Sequence, residues 1–373
     1  MAHFYFLSFL AVTTLRIAYV EGLTRVVYIA DTHVGEGCNS STSGYQLNDT
    51  NCYSVRDLKR TVAKVNSLHN NQSIAFVILG GDVTSSAQTN EFIAAKRELD
   101  KLIVDYIPLL GNHDMWSYNE IQGDLTSKPV GDALFASIFS DSFRKWVDQF
   151  SLNYENKSVW NPIHKVNSTF QSWSLIYNNT LRGANNDLQN VLFLAPDFST
   201  RVKAPPPCPG HSPIGGCGVM GMAELYNFSG GTLDWFRYQL ENNIHQHLEN
   251  VILLTHQPFR CRIGVPDWYF CFSKHDKSIL RAIMERAASR HPKGLDLFWG
   301  QWAGHQHRWF NGTSFDEKAF QGFRQWENSA VKGDVFDSKM ASSFTIFTFD
   351  EGSIVGIEKF WSENSIWKSE KGT

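Results

Sequence analysis

Residues 26–33 read Val26-Val27-Tyr28-Ile29-Ala30-Asp31-Thr32-His33. An unbroken apolar run with β-branched residues at its start is the pattern of a strand buried on both faces. This strand runs directly into a carboxylate and an imidazole. The pattern recurs along the chain. Residues 74–79 lead to Gly80-Gly81-Asp82, and 107–110 to Gly111-Asn112-His113-Asp114. Residues 251–255 lead to His256, and 295–299 toward Gly304-His305-Gln306-His307. In open α/β sheets, ligands bind beyond the carboxyl ends of the strands. Strand ends that all deliver Asp, Asn or His to one edge point to a metal site.

Helical patterns lie between the strands. Ser54 with Asp57 resembles a capping box, followed by Leu58, Val62 and Val65 on one face. Thr232 is placed to cap a helix whose face is Leu233, Phe236, Leu240 and Ile244. Ile279 and Ile283 mark another helix, which ends before His291-Pro292. Strand–helix alternation predicts an α/β layered fold. Near the C-terminus, residues 344–349 and 354–361 flank the turn Asp350-Glu351-Gly352-Ser353, which predicts a β-hairpin within a tail covering 342–373. Residues 115–190 have weak periodicity and are expected to be a long surface insertion. No stretch reads as an interdomain linker, so one domain is expected over 23–373.

The chain has 373 residues, 42% apolar and 19% charged, which excludes disorder as its dominant state. Its net charge of −3 argues against a long nucleic-acid partner or a polybasic membrane binder. Residues 4–15 are apolar or hydroxylated and too short to span a bilayer, so residues 1–22 are expected to be a signal peptide. Eight Asn-x-Ser/Thr sequons support passage through the secretory pathway: Asn39, Asn48, Asn71, Asn156, Asn167, Asn178, Asn227 and Asn311. Six cysteines allow about 15 connectivities. Short loops close at least entropic cost, so neighbour pairing is expected: Cys38–Cys52, Cys208–Cys217 and Cys261–Cys271. Residues 367–373 include no hydrophobic run, so neither a lipid-anchor signal nor a transmembrane anchor after signal cleavage is expected. A secreted or endomembrane, lysosome-like lumenal location follows. Oligomeric state has no sequence signal.

Each ligand motif alone is weak. Asp-x-His is common, and an isolated strand-end His is more often a satisfied core residue. Gly-Asn-His-Asp is stronger, because Gly permits a tight turn that exposes the next side chains. Gly-His-x-His is stronger again, since both imidazoles come from one short segment. The ordered set, each member after a hydrophobic strand, resembles the calcineurin-like metallophosphoesterase superfamily over about residues 25–309. The resemblance implies a four-layer α-β-β-α sandwich. It implies that Asp31, His33 and His307 hold one divalent ion, that Asn112, His256 and His305 hold a second, and that Asp82 bridges both. It makes His113 the histidine beside the leaving group, steadied by Asp114. The implied activity is hydrolysis of a small phosphate ester, mono- or diester, by metal-bound hydroxide.

The residue types suit that chemistry. Two divalent ions carry more charge than Asp31 and Asp82 neutralise, and imidazoles and an amide add none, so the centre attracts a phosphate anion. Two ions about 3.5–4 Å apart clamp attacking and phosphoryl oxygens and lower the pKa of bound water. A nitrogen–oxygen ligand set suits Zn²⁺ first, with Mn²⁺ or Fe²⁺ as alternatives. Purple acid phosphatases, one branch of the superfamily, carry Gly for the first His and Tyr three residues after the bridging Asp. Here His33 and Ser85 stand at those places, so no Fe(III)–phenolate chromophore is expected. Sphingomyelinase-like members carry a saposin-type segment for which this chain has no room. A second function class is a catalytically weak, metal-containing recognition protein at the cell surface; an altered ligand or Gly-Asn-His would mark it, and all are intact. Aromatic residues flank the ligands: Trp116, Tyr118, Trp268, Tyr269, Phe270, Trp302, Trp309 and Phe310. Trp268 and Arg260 are therefore expected to contact substrate, the ring against a flat or apolar leaving group and the guanidinium against a phosphate oxygen.

Overall fold

In the computed structural model the chain is described over residues 23–38, 47, 52–115, 131–178, 190–201, 221–260, 271–312, 323–331, 340–350 and 352–372. Residues 26–29 are fully buried, as a central strand requires. They form β1 (Thr24–Ile29), which pairs in parallel with β2 (Ile74–Leu79), itself parallel to β3 (Tyr106–Pro108). A second sheet is assembled from β4 (Asn153–Asn161), β5 (Val166–Asn178), β6 (Asn190–Ala195), β7 (Leu248–Leu254), β8 (Phe298–Ala303), β9 (Phe310–Gly312) and β10 (Arg324–Glu327). Its order is β4-β5-β6-β7-β8-β10-β9, with β6, β7, β8 and β10 in parallel succession. The last strands, β11 (Met340–Asp350), β12 (Ser353–Glu363) and β13 (Ile366–Gly372), return to the first sheet, whose order is β13-β12-β11-β1-β2-β3.

Side-chain alternation separates the layers. Val191, Phe193 and Ala195 of β6 join the core between the sheets, whereas Leu192 and Leu194 join a second core. Ile252 and Leu254 of β7 divide in the same way from Val251 and Leu253. The second core is completed by Leu233, Phe236 and Leu240 of α5 (Thr232–Asn243) and by Leu280 and Met284 of α6 (Lys274–Ala288). On the far side, Leu58, Val62 and Val65 of α1 (Tyr53–Gln72) and Phe92 of α2 (Thr89–Leu99) pack with the first sheet. The result is the expected α-β-β-α sandwich, with the β11–β12 hairpin in place.

Aromatic rings lock the sheets together. Trp302 of β8 stacks on Phe347 of β11 with centroids 3.6 Å apart and meets Tyr28 of β1 edge-on at 5.7 Å. Trp302 is fully buried, which corrects its reading as a pocket ring: it is the seam of the core.

Residues 131–178 are also corrected. They contribute α3 (Gly131–Ile138), α4 (Ser140–Phe150), β4 and β5, and their Phe135, Phe139, Phe143, Trp146 and Trp173 are buried. Helical spacing of aromatics across the break at Phe139, rather than an aliphatic stripe, is why this part read as surface. Two further differences are local. Ser54 does not cap α1; its hydroxyl donates to Glu36 O at 2.9 Å and accepts from Gly35 N at 3.2 Å, tying the helix start to the loop after β1. The fifth strand starts at Phe298 because residues 294–297 form a 3-10 turn.

Candidate metal centre

β1, β2, β3, β7 and β8 all point their carboxyl ends to the same rim, where the two sheets meet. Backbone hydrogen bonds from Asp31 N to Gly81 O (3.1 Å) and from His33 N to Asp82 O (3.0 Å) lay the first two loops side by side. Gly304 N donates to His256 O at 3.1 Å and joins the loops of the second sheet. His305 N donates to Asp31 Oδ1 at 2.9 Å and Oδ2 at 3.0 Å, so the two sheets are bonded directly at the site.

The predicted ligands converge. Asp31, His33, Asp82 and His307 bring ligand atoms within 4.8 Å of one another, and so do Asp82, His256 and His305. Asp82 belongs to both groups, as a bridging carboxylate does. His307 Nε2 lies 3.3 Å from Asp31 Oδ1, His33 Nε2 3.5 Å from Asp82 Oδ2, and His256 Nε2 3.0 Å from Asp82 Oδ2. Asn112 is buried, and its Oδ1 has no hydrogen-bond partner among the described residues. A buried amide oxygen left without a donor is costly in an apolar setting and natural beside a cation. The donor set and this oxygen fit a pair of divalent ions.

Backbone geometry shows how the side chains are aimed. Asp31, His33, Asp82, His305 and His307 have positive φ of 54°, 42°, 48°, 73° and 51°. Non-glycine residues pay for this conformation with strain, which persists where surrounding structure enforces it. Two glycines permit the approach. A Cβ on Gly111 would lie 2.1 Å from Asp82 N, and one on Gly304 would lie 2.5 Å from Asp31 Oδ2.

Backbone carbonyls set the imidazoles. His256 Nδ1 lies 2.8 Å from Gly80 O. A carbonyl only accepts, so Nδ1 carries the proton and Nε2 faces Asp82. The same logic applies to His113, whose Nδ1 donates to Ser85 O at 2.8 Å and whose ring meets His33 edge-on at 4.6 Å. Asp114 does a different job from the one the resemblance implied. Its Oδ2 accepts from Val83 N (3.1 Å) and Gly111 N (3.0 Å), and its Oδ1 from Thr84 N and Thr84 Oγ1, both at 2.8 Å. It binds the β2 and β3 loops together, while Ser85 O orients His113. Neither carbonyl had a sequence signal, because any residue supplies one.

The electrostatics are those of a cation site. Burial opposes charge on Asp82, but the imidazoles of His256, His113 and His33 hold it well below the usual carboxylate range. Burial likewise opposes charge on His256, yet Asp82 and Asp31 raise it to about 9. His305, buried and beside His256, is pushed well below the ordinary imidazole value. Two clustered carboxylates thus recruit a proton in place of positive charge. Burial and the adjacent Asp82 push Asp114 up to about 7.

At the rim, the guanidinium carbon of Arg260 lies 5.2 Å from the Phe310 ring centre, and that of Arg308 5.4 Å from it. Arg308, missed in the sequence, also pairs with buried Glu327 at 3.0 Å. Trp309 is half-buried against Trp326, 6.3 Å between ring centres. The Cys38–Cys52 disulfide holds the loop after β1 to the start of α1, and Cys271 is disulfide-bonded. Trp116, Tyr118, Trp268, Tyr269, Phe270, Cys208, Cys217 and Cys261 lie outside the described residues, as do residues 1–22 and the sequon residues Asn39 and Asn48. Asn71, Asn156, Asn167 and Asn227 are exposed. Among the described residues, no helix is long and apolar enough to cross a membrane.

A family model for calcineurin-like phosphoesterases matches residues 24–309. Comparison with curated proteins yields no match. Among solved structures, a dimetal phosphatase from Danio rerio is similar at 13% identity and a TM-score of 0.51, over 94% of this chain and 99% of that one. A purple acid phosphatase from yellow lupin seeds, Lupinus luteus, aligns at 12% identity and a TM-score of 0.46, over 94% of this chain and 53% of that one.

Proposed function

Because the chain belongs to the calcineurin-like phosphoesterase family and is a phosphoesterase hydrolase, we propose that it is a secreted or lumenal enzyme that hydrolyses small phosphate esters at a dinuclear centre. The observation that carries this reading is the pair of ligand groups sharing Asp82. Asp31, His33, Asp82 and His307 would hold one ion, and Asp82, Asn112, His256 and His305 the other, with Zn²⁺ favoured by the nitrogen–oxygen set. Bound there, two ions supply Lewis acidity toward phosphoryl oxygens and a nucleophile at neutral pH.

The chain's own residues do the rest. Asp82 and Asp31 set the negative field that holds positive charge at the rim. His113, its Nδ1 proton committed to Ser85 O, would in its imidazolium form carry a second proton at Nε2, pass it to the departing alkoxide and be left neutral. Asp114 fixes the loops that position His113 and Asp82. Arg260, over Phe310, is the proposed partner of a phosphate oxygen, and Trp268 the proposed contact for a flat or apolar leaving group. The exposed sequons and the Cys38–Cys52 disulfide support a secretory location.

The test is hydrolysis of p-nitrophenyl phosphate and bis-p-nitrophenyl phosphate, with metal analysis of the same sample. Turnover of either substrate, lost on chelation and restored by Zn²⁺ or Mn²⁺, is expected. Full metal content without turnover of any phosphate ester would identify a binding protein instead.

A further inference from the structure

The β4–β5 hairpin presents a ring that the fold does not use. Trp160 is 60% exposed and makes no ring–ring or cation–ring contact among the described residues. β4 and β5 pair in unbroken antiparallel register, and Trp160 stands directly opposite Asn167. Directly opposed residues share a face, with Cβ atoms about 4.5–5.5 Å apart. Asn167 is exposed and opens the sequon Asn167-Ser168-Thr169. By contrast Asn156, the sequon asparagine on β4, faces Gln171 and accepts a hydrogen bond from its Nε2 at 3.3 Å.

The end of the hairpin is rigid. Buried Asn161 accepts at Oδ1 from Ile163 N (3.0 Å) and His164 N (3.2 Å). His164 Nε2 lies 2.7 Å from Glu224 Oε2, which ties the turn to the body of the protein. A ring held on such a frame loses little freedom when something packs on it.

We propose that Asn167 carries an N-linked glycan and that Trp160 is the platform for its first N-acetylglucosamine. Attachment joins Asn167 Nδ2 to the anomeric carbon of a lipid-diphosphate-linked oligosaccharide; the amide loses a proton and the lipid diphosphate leaves. The C–H face of the pyranose is apolar and slightly positive, which matches the negative face of an indole. Placing the sugar there covers an exposed Trp that would otherwise cost solubility.

This inference rests on the secretory reading of the chain, and the experiment separates the two. The full chain is secreted from eukaryotic cells, its glycopeptides are mapped, and Trp160→Ser is compared in the parent and in Asn167→Gln. The expected result is an occupied Asn167, a Tm lowered by about 1–3 °C by Trp160→Ser in the glycosylated parent, and little change in Asn167→Gln. Sugar C–H protons shifted upfield by the indole should lose that shift in Trp160→Ser. A bare Asn167 beside other occupied sequons overturns the proposal and leaves the secretory reading standing. Equal effects in both backgrounds, with no ring-current shift, overturn the platform. Absence of carbohydrate at every sequon overturns both.

Discussion

Asp82 is the residue on which the two halves of the centre depend. Its carboxylate is shared by both ligand groups and accepts His113 N at 2.8 Å. Asp82→Asn removes one negative charge from both, so both ions should be lost together; metal analysis showing one ion fully retained would refute the bridging role. His113 is expected to behave differently. His113→Ala should leave metal content intact and lower kcat by roughly 10²–10⁴-fold on esters with poor leaving groups, with less effect on p-nitrophenyl phosphate. Loss of metal in that variant would reassign His113 as a ligand. The residue types of the site were legible because successive apolar strands each end in Asp, Asn or His, a recurrence that single strand-end residues do not carry alone. Their orienters, Gly80 O and Ser85 O, were not, since backbone carbonyls leave no mark in sequence.

The strand-end turns are the elements that convert fold into chemistry. Gly111 sits where a Cβ would strike the backbone N of Asp82 and its Oδ1, at 2.1 and 2.2 Å. Backbone cannot swing aside as a side chain can. Gly111→Ala is therefore expected to cut metal occupancy and turnover at least about 10-fold, in line with the cost of small misplacements at catalytic sites, while far-ultraviolet circular dichroism stays near that of the parent. Unchanged occupancy would mean that the two loops are more compliant than their bonds suggest. α2 offers a second case. Glu91 accepts from Ser86 N (2.8 Å), Ser86 Oγ (2.8 Å) and Gln88 N (3.3 Å), which shapes the loop that carries Ser85. The periodicity of α2 is plain in hindsight, but its first turn is held by this buried carboxylate, and a lone Glu in sequence reads as surface.

Across the whole molecule, buried acids tune stability to pH. Burial pushes Glu91 from 4.5 up to about 7, and it raises Glu327 to about 7 despite the Arg308 guanidinium beside it. For each, the fold prefers the neutral form. The stability they lend is complete below about 4.5 and is lost as pH rises through about 7. The parent is expected to lose roughly 1–3 kcal/mol more than Glu91→Gln between pH 5 and 8, read from denaturant midpoints at each pH. Identical slopes would show that Glu91 is ionised throughout.

What the sequence by itself determined was five of the core strands, the C-terminal hairpin and the chemistry at the strand ends. Runs such as 26–30 and 74–79 are too apolar to lie anywhere but in a core, and Gly-Asn-His-Asp and Gly-His-Gln-His carry their meaning locally. The tertiary structure decided what depends on partners far apart in the chain. It placed Trp302 against Phe347, an inter-sheet contact no local pattern encodes, and so moved that ring from cleft to core. It drew residues 131–178 into the sandwich through Trp146, Trp173 and their neighbours, because burial of aromatic faces needs a second surface. It assigned Asp114 to the loops rather than to the His113 ring, since a carboxylate takes the nearest donors that folding provides.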